Sequence, residues 1–86
     1  MSSRTDVEGA FKAQNNIAAT LQRVLSDVGI GTPEGTGVAG ALTQVQQAAL
    51  ALQKVALRLA IAEVNSQLVV DQALKTSLQN QLNALP

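Results

Sequence analysis

Gly29-Ile30-Gly31-Thr32-Pro33-Glu34-Gly35-Thr36-Gly37-Val38-Ala39-Gly40 is the stretch on which the organisation of the chain turns. It holds five of the six glycines, and glycine and proline are the strongest punctuation of regular structure. Helical periodicity runs on both sides of it, and no segment alternates apolar and polar residues long enough to be a strand. The expectation is an all-α protein: a single domain over 1–86, a first helix over about 5–28, a Gly/Pro-rich loop over 29–37, and a long second helix over about 38–85.

Upstream, Thr5-Asp6-Val7-Glu8 fits a capping box, with Asp6 and Glu8 at the positive end of the helix dipole. Val7, Phe11, Ala18, Leu21, Leu25 and Val28 then recur in steps of three and four, with Gln14 in the one polar slot and Ile17 and Val24 on the flank. Gly29 is placed to end the helix. Residues 5–28 would span about 36 Å at 1.5 Å per residue.

Downstream, no glycine follows Gly40 and the next proline is Pro86. A helix over 38–85 would be about 72 Å long, twice the length of the first. One of its faces carries Val38, Leu42, Val45, Ala49, Leu52, Ala56 and Leu59, followed by Val70, Leu74, Leu78 and Leu85; another carries Leu50, Leu57, Ile61, Val64 and Leu68. A surface helix has one apolar stripe, and a helix apolar on most sides is a buried one. Within the hairpin, Phe11, Leu21 and Leu25 are expected to pack on Leu42, Val45, Leu52 and Leu59. The remaining surface, Leu50, Leu57, Ile61, Val64, Leu68, Val70, Leu74, Leu78, Leu82 and Leu85, is expected to bury itself against other copies. The alternative is a three-helix bundle with a break near 63–67, capped by Asn65 or Ser66.

Composition points the same way. The 86 residues are 47% hydrophobic with Phe11 the one aromatic, so the interior comes from Ala, Leu, Val and Ile. Charged residues make up 14%, against about 25% in ordinary soluble domains, and six basic residues balance six acidic ones. Low charge with abundant aliphatics describes a poorly soluble monomer, and a surface that other subunits cover.

Chemistry is scarce. Without Cys, His, Trp or Tyr there is no thiol nucleophile, histidine triad, zinc finger or aromatic base-stacking platform. Zero net charge lacks the basic footprint of a nucleic-acid binder. Gly35-Thr36-Gly37-Val38-Ala39-Gly40 spells GxGxxG, but no strand precedes it and no acid lies about 20 residues on, so a dinucleotide site is not expected. If the motif is only a connector, Gly37→Ala costs about 1 kcal/mol or less. Lys54 and Arg58 read as the solvated line of a mostly buried helix. Glu63 falls inside an apolar stripe, either fixing register against a Lys or Arg of another copy, or lying at a rim or at the fraying point of a broken helix. No catalytic, cofactor-binding or metal-ligating residue is expected, and no cofactor.

The pattern of two helices rich in Ala, Leu, Gln and Val, free of Cys and poor in aromatics, is similar to that of small axial subunits of secretion needles, flagellar rods and virion fittings. The Pro-Ser-Asn-Pro turn of type III needle subunits and the Trp-x-Gly turn of small ESX-type hairpins are both absent, and no family is assigned. The resemblance implies a non-enzymatic structural subunit whose partner is itself, as a filament, tube, ring or virion or secretion component, with other components of the same assembly as further partners. A membrane-active amphipathic protein is the alternative, with contact through the flanks of 41–64. Residues 35–53 carry no charge, yet Gln44, Gln46, Gln47 and Gln53 argue against a bilayer span. With no secretory signal pattern at Met1-Ser2-Ser3-Arg4, the expected location is cytoplasm, virion or export by a dedicated apparatus.

Overall fold

The computed structural model describes residues 2–86, which form three helices: α1 over Ser3–Val28, α2 over Pro33–Asn65 and α3 over Gln72–Asn83. The all-α class follows from the sequence, and among the described residues there is no strand.

The first helix begins earlier than the Thr5 capping box implies. Ser2 is the N-cap, its hydroxyl accepting the Thr5 N–H at 3.2 Å. Glu8 accepts from Arg4 at 3.0 Å instead of reaching back to a cap at Thr5. Ser2 offers the same cap chemistry three residues upstream, and the extra turn brings Arg4 within reach of the far end of α2.

The expected loop over 29–37 shrinks to residues 29–32. Gly29 and Gly31 supply the positive φ values, 88° and 92°, that let the chain reverse so tightly. Thr32 then caps α2: its hydroxyl accepts the Gly35 N–H at 2.9 Å and donates to the Gly29 carbonyl at 2.9 Å. Pro33 occupies the first helical position, where its missing N–H is no loss, and Glu34 sits in the first turn. Gly35, Gly37 and Gly40 are therefore helical. Gly35 is buried with its Cα against the Gly29 carbonyl, which leaves no room for a Cβ.

The long helix expected over 38–85 is two helices. Asn65, Ser66, Val69, Val70 and Asp71 are all mediocre helix formers, together about 2–3 kcal/mol poorer than alanines. Ser66 closes α2, its N–H bonding the Ala62 carbonyl and its hydroxyl donating to the Glu63 carbonyl at 2.8 Å. Asp71, not Asn65 or Ser66, caps the next helix, with Oδ1 accepting the Leu74 N–H at 3.0 Å. The chain folds back, and α3 packs on α2. α3 thus has a partner within the chain, contrary to the expectation for a continuous helix, while Leu68 and Val69 stay exposed.

In the antiparallel pair of α1 and α2, one step forward on one helix is one step back on the other. The register that joins Arg4 to Glu63 puts Phe11 level with Ala56, Ala18 with Ala49 and Leu25 with Leu42. Each of these series repeats every seven residues, as in a coiled coil. Ala18 and Ala49 are both buried, and alanine at the seam allows the axes to approach to about 8 Å. The stripe Val7, Phe11, Gln14, Ala18, Leu21, Leu25, Val28 is buried or half-buried throughout, as is Val38, Leu42, Val45, Ala49, Leu52, Ala56, Leu59.

The three helices form an open row and not a closed triangle. No Cα of α1 comes within 8 Å of one in α3, so α2 lies between two partners that do not meet. This is why α2 is apolar on two sides. The Cα atoms span 56 × 27 × 14 Å, with a radius of gyration of 16.9 Å where a compact chain of this length would have about 12 Å. Among the described residues the buried apolar ones are Ala18, Ala49, Ala60 and Val64, and no large side chain is fully enclosed.

The two glycine environments predict opposite outcomes. Gly35→Ala forces a methyl onto the Gly29 carbonyl and is expected to cost about 1–3 kcal/mol. Gly37 and Gly40 have open space around the missing Cβ, so Gly37→Ala and Gly40→Ala should each gain about 0.5–1 kcal/mol. The small cost expected for Gly37 as a loop residue therefore changes sign. Denaturant midpoints of the three variants, measured side by side, check this.

Candidate interaction surface

Because α1 and α3 flank α2 without touching, they leave a groove between them. Its volume is about 250 Å³. Arg4, Glu8 and Phe11 of α1 form one wall, Gln53, Ala56, Leu57 and Ala60 of α2 the floor, and Leu78 and Gln81 of α3 the other wall. Two alanines in the floor make it shallow. Ligand pockets are commonly 300–1,000 Å³ and enclosed. A shallow trough of this size suits side chains projecting from another helix.

Polar groups gather at one end. Arg4 Nη1 lies 2.9 Å from Glu63 Oε2 and its Nε lies 3.0 Å from Glu8 Oε1. All three side chains are nearly half exposed. Glu63 therefore pairs with a cation of its own chain, 59 residues away. The hydrogen bond to Glu63, then that to Glu8, raises the Arg4 guanidinium further above its ordinary value. The guanidinium is thus held charged, and added salt screens this exposed pair.

The residues expected to bind other copies divide into several groups. Val64 is buried, while Leu50, Leu57, Ile61, Val70, Leu78, Leu82 and Leu85 are half-buried. Leu57 and Leu78 line the same groove, and each is partly covered within the chain. Leu74 is 44% exposed and Leu68 is fully exposed. The hairpin residues Phe11, Leu21, Leu25, Leu42, Val45, Leu52 and Leu59 are all half-buried. Sequence reasoning passed over Arg4, Gln53 and Gln81. The signal for Arg4 is that it stands seven residues before Phe11, as Glu63 stands seven after Ala56, so opposite charges end the two stripes.

The GxGxxG segment forms the first turns of α2. Its Gly35 N–H is taken by the Thr32 hydroxyl, and the Gly29 carbonyl oxygen faces Gly35 where an anion would have to sit. Among the described residues no cluster of carboxylates could hold a metal ion, and no helix is long and apolar enough to cross a membrane. No protein-family model, curated protein or solved structure matches this chain.

An exposed ion pair of this kind is worth up to about 1 kcal/mol. Arg4→Gln should lower stability by that amount or less at low ionic strength. Unfolding in about 1 M sodium chloride should erase the difference between variant and parent, because the Debye length there is about 3 Å.

Proposed function

We propose that the chain is a non-enzymatic structural subunit that associates with copies of itself through the open sides of its helical row. The observation that supports this is exposed area. The chain exposes 5738 Å², whereas a compact monomer of 8.9 kDa exposes about 4,800 Å². The excess, about 900 Å² per chain, matches the roughly 800 Å² that each partner gives to a standard interface. The surface includes Ile17 at 46%, Val55 at 38% and Leu74 at 44% exposure, on all three helices. Low charge and zero net charge leave little repulsion between copies. A filament, ring or tube, as in a virion or secretion apparatus, is the class of assembly that such a subunit would build.

Sedimentation velocity over a hundredfold concentration range tests this. The parent should associate as concentration rises, without lipid present. Ile17→Glu and Leu74→Glu should shift it to the monomer while the far-UV spectrum stays helical, since neither side chain is buried in the row. A parent that sediments as a monomer at all concentrations rules the proposal out. Pelleting only in the presence of lipid vesicles would favour the membrane-active alternative.

A further inference from the structure

We infer that copies of this chain associate by exchanging α3, with residues 66–71 straightening so that α2 and α3 become one helix whose end docks on the neighbour's α2. The inference rests on the self-association proposed above and names its partner: the α3 of a second copy.

The face of α2 that receives this helix already accepts the same segment within the chain, so the exchanged interface is self-complementary by construction. Exchange of an identical element is a low-cost route to a dimer, because the packing that each chain gives up internally is rebuilt with its neighbour. α3 is suited to leave. It touches α2 alone among the helices, and none of its residues is buried.

The connection makes few hydrogen bonds within the chain. Beyond Gln67, whose N–H bonds the Val64 carbonyl, the backbone N–H groups of Leu68, Val69 and Val70 have no partner among the described residues. In a continuous helix each N–H from Leu68 to Ala73 would reach the carbonyl four residues back. No glycine or proline stands in the way. Leu68 and Val69 are 106% and 85% exposed in the closed chain, the largest apolar exposures beside Ile30. Straightening puts Leu68 in line with Leu57, Ile61 and Val64, at helical steps of four, three and four. In a two-fold exchange the two straightened segments lie side by side, and Leu68 and Val69 of both copies meet there. The weak helix formers in the connection hold the closed form, and the exposed apolar side chains favour the open one.

The experiment labels Arg58 and Gln79, both exposed, with spin labels on cysteines in otherwise intact chain, diluted into unlabelled excess so that only intrachain distances are read. Neighbouring helices in the closed chain give a separation of about 10 Å, and a continuous helix gives about 32 Å. Sedimentation of the same samples reports association. The expected result is a population at about 32 Å that grows with the dimer. Val69→Pro, which breaks a continuous helix while removing an N–H that bonds nothing in the closed form, should weaken dimerisation more than a hundredfold. Asp71→Ala, which removes the α3 cap, should strengthen it about tenfold or more. Association with the short distance retained overturns the exchange and leaves self-association standing. Absence of association overturns both. Equal dimerisation of Val69→Pro and parent also overturns the exchange.

Discussion

Packing of the two facing stripes of α1 and α2, with Ala18 and Ala49 buried midway along them, is the constraint from which the rest of the molecule follows. With Ala18 level with Ala49, α1 and α2 can lie near the minimum spacing for packed helices, and leucines above and below fill the flanks. Such a seam buries little area per residue. A buried alanine contributes about 2 kcal/mol less than a leucine in its place, at about 0.8 kcal/mol per methylene. The pair gains its stability by length, and the register has to hold over the whole of α1. Two devices at its ends secure that register. At one, Gly29, Gly31 and Thr32 make a turn too short to allow slippage, with Gly35 packed on the Gly29 carbonyl. At the other, Arg4 joins Glu63 and Glu8.

The second helix is the centre of the molecule because it has two apolar faces and two partners. α1 takes one face and α3 the other, and since α2 separates them the row never closes. A closed three-helix bundle would place large side chains at a common axis. Here no such axis exists, which accounts for a buried set made only of alanines and one valine. The break before α3 reflects a close competition. Continuing the helix would add backbone bonds over 68–73, whereas stopping it uses Asp71 as a cap and lets α3 pack on α2. Poor helix formers between Asn65 and Asp71 tilt that balance toward the fold-back.

The groove between α1 and α3 carries side chains that recognise shape and apolar surface. Its polar groups are one ion-paired arginine, its two glutamates nearby and two amides, each suited to hydrogen bonding at a rim. Such a lining accords with the proposed contact with another helix. Together with an exposed area about a fifth above that of a compact monomer, it makes association the reading most in keeping with the molecule.

Local and periodic features were legible in the sequence: the all-α class, the two facing stripes, the end of the first helix at Gly29, and the second apolar face of the long helix. These depend on side-chain spacing along one helix, which the sequence states directly. The signals that were present but outweighed were local caps. Ser2 and Asp71 have the same chemistry as Thr5 and Asn65, and only the packing of the formed helices selects among them. Glu63 shows the limit most clearly. Its place in an apolar stripe suggested a partner in another copy, and its partner is Arg4, brought from 59 residues away by a register that the turn at 29–32 sets. The weak helix formers at 65–71 permit a break, but whether the helix folds back there depends on the long-range packing contact of α3 on α2. Propensity and periodicity along a single helix carry no information about that contact, so only the tertiary structure decides it.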